Sequence, residues 1–351
     1  MNNYIPNRVI GMKEYVPDTS NPKIKLDANE SPYATPKTVL DAIREGIDLE
    51  NVNRYPDPDM KELLASYGCH IGVSPDRIVA GDGSDELIAL IINTFLCEGG
   101  KILICDPDFS MYTFYSDFAG CKTVKYEKKN GTDIDFSELK GYVERENVKL
   151  VMFSNPCNPT GEINTKEEIL RFTDEVKAIV VCDEAYMEFA PIDQSVISET
   201  ESRDNLIVLK TVSKIGLAGF RCGFAISNKE LIAALKKTKS PYNLNSITQK
   251  AVAVAIDNYA EIGRNVELIK KVTAEMYKTL KPLESALGFE MNESHTNFVY
   301  LRFKKDGEAS NVHAFLKGKG ISVRIAANTL RITAGTKEEA ASLYAALRSY
   351  K

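Results

Sequence analysis

With 351 residues, the chain is longer than one hydrophobic core usually reaches, which predicts a large domain joined to a smaller one. Its 44% hydrophobic and 26% charged residues exclude a disordered or fibrous protein. The net charge of -5, with basic residues scattered rather than striped, excludes a nucleic-acid surface and a polybasic membrane patch and leaves small-molecule chemistry.

In chain order, residues 1–31 are rich in Asn and Pro and show little periodicity, which predicts an arm over the body. The opening MNNYIPNRVIGMKEY lacks the apolar core of a signal peptide. The most apolar stretch, 87–96, is too short to cross a bilayer, so a cytoplasmic location is expected. From about 76 to 226, short apolar runs at 78–80, 101–105, 148–153, 178–182, 205–209 and 223–226 alternate with polar loops and helical patterns. That grammar is β/α, and runs without alternation suit parallel strands covered on both faces. Helical periodicity over 245–286, broken near 257–262, predicts a domain-joining helix. NFVYLRF (297–303), a helix near 309–318, ISVRI (321–325), TLRITAG (329–335) and a closing helix over 336–350 predict a small α+β domain. The expected division is 32–255 for the large domain, with 1–31 and 256–351 forming the arm and the small domain.

Cys69, Cys97, Cys105, Cys121, Cys157, Cys182 and Cys222 make no CxxC pair and read as reduced core residues. His70, His295 and His313 are too dispersed for a zinc motif or a histidine-based triad, so no metal is expected.

Ligands of open α/β sheets bind beyond the carboxyl ends of the strands, so the polar residues after each run form one candidate site. They are GDGSDE (81–86), DPDFSMY (106–112), SNPCNPTG (154–161), DEAY (183–186) and TVSKIGLAGFR (211–221). Gly83, Ser84 and Asp85 open an amphipathic helix whose free N–H groups and dipole suit a phosphate. An isolated GxGS is more often a plain N-cap, and Glu86 replaces the third glycine of a dinucleotide fingerprint. Asp183 ends the run AIVVC, where a carboxylate in a low-dielectric crevice needs a cation. A protonated pyridine nitrogen is such a cation, and holding it protonated makes the ring an electron sink; helix capping is the plainer reading. Lys214 projects into the same crevice. A lysine chosen at random is solvated, but Thr211, Ser213 and Arg221 beside this one make a phosphate cup. A desolvated amine there can form an imine with an aldehyde and shuttle an α-proton.

Together these motifs resemble the fold-type I pyridoxal-phosphate (PLP) aminotransferases, and within them the histidinol-phosphate aminotransferases. The resemblance runs from KLDANESPY (25–33) through NRYPDP (53–58) to LRITAG (330–335). It implies an α/β fold with a mostly parallel sheet sandwiched by helices, plus a small α+β domain. It implies that Lys214 carries pyridoxal 5'-phosphate as a Schiff base, that Asp183 pairs with the pyridine nitrogen, and that Tyr186 and Asn158 bond the ring's 3-oxygen. Phe109 would stack on the ring, and Gly83, Ser84, Asp85, Thr211, Ser213 and Arg221 would surround the phosphate. Tyr55, by itself only part of a Pro-rich turn, would reach the phosphate of the neighbouring subunit, which implies a homodimer with shared active sites. Arg331 would take the α-carboxylate of glutamate, with Arg324 and Tyr15 completing the anion pocket. The phosphate of histidinol phosphate suits the same guanidinium site; without the resemblance, both arginines read as a solvated strand face.

Three positions depart from that family's pattern. Lys214 to Arg221 spans seven residues, one fewer than usual, which predicts a tightened phosphate loop. Six residues separate Arg324 from Arg331, also fewer than usual, in a loop that shapes the substrate pocket. Asp108 stands where Thr is frequent and adds negative charge beside an anion site. The expected reaction is transamination between glutamate and 2-oxoglutarate on one side and histidinol phosphate on the other, in histidine biosynthesis. Aromatic amino acids are the nearest alternative substrates, and a threonine-phosphate decarboxylase is the alternative PLP reaction. A silent ligand-binding module and a nicotinamide site at GDGSDE are the other readings.

Overall fold

The computed structural model describes residues 4–12, 14, 21–48 and 52–350. The arm contributes a short strand, β1 (Ile24–Leu26). The chain then builds a sheet from β2 (Ile78–Asp82), β3 (Lys101–Asp106), β4 (Lys122–Glu127), β5 (Leu150–Ser154), β6 (Ile179–Asp183), β7 (Leu206–Thr211) and β8 (Cys222–Ile226). Their order is β2-β8-β7-β6-β5-β3-β4. Neighbours pair in parallel from β7 to β4, and β8 runs antiparallel to both β2 and β7. The last residues of β2, β3, β5, β6 and β7 therefore share one edge, and the reversed β8 brings its first residue there instead of its last.

Alternate residues of each central strand face opposite sides, and both sides are buried. On β5, Leu150 and Met152 join one apolar cluster and Val151 and Phe153 the other. The helix Gly83–Phe95 covers one face with Leu87, Ile88, Ile91 and Ile92, the stripe that a helical period produces. β4 was not among the expected runs. Its sequence KTVKYE interrupts every apolar pair with a charge, which suits an edge strand with one side in solvent.

A second sheet takes the order β1-β11-β12-β10-β9, where β9 is Phe289–Glu290, β10 Phe298–Phe303, β11 Ile321–Ala326 and β12 Thr329–Thr333. β1 pairs in parallel with β11, so the strand that leaves the arm is built into this sheet. β11 and β12 are joined through Ala327 and Asn328 alone, with Ala327 at φ 47. The expected joining helix is two helices, Ser246–Asp257 and Tyr259–Leu280, that break at Asn258.

All seven cysteines are free, but only Cys105, Cys157, Cys182 and Cys222 are buried; Cys69 and Cys97 are exposed and Cys121 is half-buried, so the core reading holds for four of them. Among the described residues no helix is long and apolar enough to cross a membrane.

Candidate active site

The shared strand edge opens into a pocket of about 780 Å³ whose far wall is the small sheet. Its lining includes Ser84, Asp85, Phe109, Asn158, Asp183, Tyr186, Thr211, Ser213, Lys214 and Arg221 from the large sheet's loops, with Arg324 and Arg331 opposite. Asp183, the last residue of β6, is buried. Its Oδ2 accepts from the Tyr112 hydroxyl at 2.8 Å and its Oδ1 from the Ala185 N–H at 3.1 Å. Burial pushes its carboxyl up from the ordinary 3.8 to about 6, against the lowering by those two hydrogen bonds. Among the described residues it has no ion pair, so this carboxylate calls for a cation from outside the chain.

Lys214 lies in a π-helical turn, Ser213–Leu217, that bends at Gly216 with φ 107. Its Nζ stands 5.8 Å from the centre of the Tyr186 ring. Tyr186 is itself fixed: its hydroxyl accepts from Asn29 Nδ2 at 2.8 Å, and its ring meets Phe298 edge-on at 5.3 Å.

Three elements converge to form the anion cup. The helix that starts at Gly83 points its free N–H groups there. Gly83, at φ +74, donates its own N–H to the Arg221 carbonyl at 2.9 Å. A Cβ on Gly83 would come within 2.6 Å of Arg221 Nη2, so only glycine lets the guanidinium approach the helix end. The Thr211 and Ser213 hydroxyls lie 2.9 Å apart across the β7 turn. Arg221 pairs with Asp85 at 3.2 Å and reaches this edge because it precedes the reversed β8. Helix N–H groups, two hydroxyls and a guanidinium together fit a phosphate.

On the small sheet, Arg324 and Arg331 are directly opposed in the β11–β12 register. Arg331 donates from Nη1 to Asn158 Oδ1 at 2.7 Å and from Nη2 to the Asp27 carbonyl at 2.8 Å. Cross-strand partners share a face of the sheet, so the two arginines bring two positive charges to one wall, which suits an anion.

A family model described as aminotransferase class I and II matches residues 21–347. The chain is a class I and II aminotransferase. This aminotransferase is 35% identical to the histidinol-phosphate aminotransferase of Caldanaerobacter subterraneus subsp. tengcongensis, over 99% of this chain and 98% of that one. It is 38% identical to that of Clostridium novyi, over 90% and 88% of the two chains. Its fold matches a crystal structure of histidinol-phosphate aminotransferase from Sinorhizobium meliloti in complex with pyridoxal-5'-phosphate. There the TM-score is 0.88 at 25% identity, covering 99% of this chain and 98% of that one.

Most residues singled out in the sequence of this aminotransferase meet in the pocket. Tyr55 does not: it is 81% exposed and stacks on Tyr242 at 4.5 Å. Tyr15 lies outside the described residues. Glu86 turns back from the cup, where its Oε2 accepts from Asn243 Nδ2 at 3.0 Å, so the broken dinucleotide fingerprint has a local structural use. Sequence reasoning missed the supporting roles of Tyr112 and Asn29. Both stand inside motifs already noted, DPDFSMY and KLDANESPY, but the contacts they make span 71 and 157 residues of chain.

Proposed function

We propose that this aminotransferase uses PLP to move an amino group between histidinol phosphate and 2-oxoglutarate, in the cytoplasm, as a homodimer. The observation that carries the reading is Asp183, a buried carboxylate with no ion pair among the described residues, across the same pocket from Lys214 and a phosphate-shaped cup. When bound, PLP supplies an aldehyde that captures amines and a ring that draws electrons from the substrate's α-carbon.

The chain's residues do the rest. Asp183 would keep a proton on the ring nitrogen, and Asn158 and Tyr186 would bond the 3-oxygen. Phe109 would cover a ring face, and Gly83, Ser84, Asp85, Thr211, Ser213 and Arg221 would hold the phosphate. Lys214 Nζ would hold the cofactor through its aldehyde and would carry the proton exchanged at the substrate's α-carbon. Arg331 and Arg324 orient the substrate anion, a carboxylate in glutamate and a phosphate in histidinol phosphate. Tyr55, exposed on its own chain, completes the cup of a second copy. In this division 32–255 carries the cofactor, 256–351 carries the substrate arginines, and the arm adds Tyr15 to their pocket.

An amino-donor panel tests the reading. Glutamate and histidinol phosphate should each bleach the visible band of the PLP-loaded enzyme, and 2-oxoglutarate should restore it. Lys214→Ala should lose that band and turnover together. Release of carbon dioxide without an oxo acid would replace transamination by decarboxylation.

A further inference from the structure

We infer that Asp108 is a positioning residue: through Ser154 and Lys128 it sets Phe109 against the face, and Asn158 against the edge, of the bound ring. The inference rests on the PLP reading above and adds three residues to it.

β3 and β5 are neighbours, yet β3 leads outward to β4 and β5 leads back towards β6. Their following loops depart in opposite directions, and a crevice opens between them. Asp108 sits in the first loop and Ser154 ends the strand before the second. The side chains of Asp108 and Lys128 are both 0% exposed, although Asp108 belongs to the pocket wall. The Asp108 carboxylate accepts from the Phe109 N–H at 2.8 Å, from the Ser154 N–H at 3.2 Å and from the Ser154 hydroxyl. Lys128 follows β4, and its ammonium has three protons to place. It donates to the Pro107 carbonyl and to Cys157 Sγ, each at 2.9 Å, and lies 3.5 Å from Asp108 Oδ2. One buried cation thus ties both loops together.

Hydrogen-bond direction carries the effect onward. A carboxylate only accepts, so the single Ser154 proton points at Asp108 and leaves a lone pair for the Asn158 N–H, 3.0 Å away. The Arg331 guanidinium only donates, so the Asn158 oxygen must face it at 2.7 Å. The Asn158 amide NH2 is left to donate into the pocket. A buried ion pair that merely held two loops together would serve no better than apolar packing. This one fixes the backbone of both residues that would touch the ring.

The PLP-loaded Asp108→Asn and Ser154→Ala variants test this. An amide donated to the 3-oxygen weakens that oxygen's hold on the proton shared with the imine nitrogen, so displacing Asn158 raises the pH midpoint of the visible band. Both variants should retain one PLP per chain and shift that midpoint upward by about one pH unit, a tenfold change in proton affinity. Both kcat values should fall by about ten- to a hundredfold. A purely structural pair would lower thermal stability and leave the midpoint of the folded, loaded enzyme unchanged. Wild-type midpoints in both loaded variants therefore overturn the inference while the PLP reading stands. If Asp108→Asn does not fold, Ser154→Ala, which removes one hydroxyl, decides by the same midpoint. A wild-type chain that takes up no PLP overturns the PLP reading, and this inference with it.

Discussion

Replacing Asp183 by asparagine should make the cofactor-free chain more stable at neutral and alkaline pH while weakening its hold on PLP. The Asp183 carboxyl is buried and titrates near 6 in the fold against an ordinary 3.8. At 1.36 kcal/mol per pH unit, that gap is on the order of 3 kcal/mol. The sign follows from the direction: the fold prefers the protonated acid, so its favourable contribution is complete below 3.8 and is lost as pH rises through about 6. An asparagine never ionises. It keeps an oxygen for the Ala185 N–H, and its amide can donate to the Tyr112 hydroxyl, at a cost of about 1 kcal/mol for imperfect geometry. The cofactor-free variant should therefore exceed wild type by about 2 kcal/mol near pH 8 and fall slightly below it near pH 4. Urea unfolding of both proteins at matched pH measures this. Glu184, pushed up by burial to about 7, titrates in the same window but is common to both chains and cancels in the difference. With PLP present the order should reverse, and its dissociation constant should rise by at least about tenfold. A cofactor-free variant that is less stable than wild type near pH 8, with an unchanged pH slope, would refute the electrostatic reasoning.

Tyr112→Phe removes the hydroxyl that donates to Asp183 Oδ2 at 2.8 Å. A bond to a charged group contributes about 1.5–3 kcal/mol, so the carboxyl should titrate about one to two pH units higher. PLP binding at neutral pH, followed by fluorescence, should then weaken by about tenfold. Gly83→Ala places a Cβ 2.6 Å from Arg221 Nη2 on a backbone at φ +74. The left-handed backbone alone costs about 1–2 kcal/mol, and the guanidinium must leave the cup, so both thermal stability and phosphate-dependent affinity for PLP should drop. Unchanged affinity for PLP relative to pyridoxal would remove Arg221 from the cup.

The large sheet was legible because its central strands are buried on both faces and so read as unbroken apolar runs. β4 was not, since an edge strand whose apolar residues are separated by lysines looks like a loop to that criterion. The reversal at β8 was not legible: nothing in Cys222–Ile226 distinguishes an antiparallel strand from the parallel ones beside it. The site was legible wherever a motif directly followed a strand, because chain connectivity alone carries Asp183 and Lys214 to one edge. It was not legible where a partner arrives from another element. The buried Lys128–Asp108 contact, the Tyr112–Asp183 bond and the Asn29–Tyr186 bond depend on three-dimensional placement that no spacing encodes. The shortened loop between Arg324 and Arg331 was visible as a count, but only the β11–β12 register shows that it sets the two arginines face to face.

Several features of the pocket are unfavourable for the chain on its own, and each has a matching ligand group. Asp183 is a buried carboxylate with no cation paired to it among the described residues, and a protonated ring nitrogen would supply one. Arg221 holds a left-handed backbone at φ 49 to bring its side chain beside Gly83, and a phosphate would reward that placement. Arg324 and Arg331 are cross-strand partners of like charge, a placement that suits a bound anion. Gly223 permits a close approach, since a Cβ there would meet the Ser84 nitrogen at 2.6 Å and push the helix end off the sheet. The cost of arranging these groups is met in folding, so it need not be met again when the cofactor binds. Folding and cofactor binding are for that reason linked: whatever binds the native pocket stabilises it by RT ln(1 + [L]/Kd). The ligand that best matches cation, phosphate and substrate anion together should raise the unfolding temperature more than pyridoxal, phosphate or glutamate can separately.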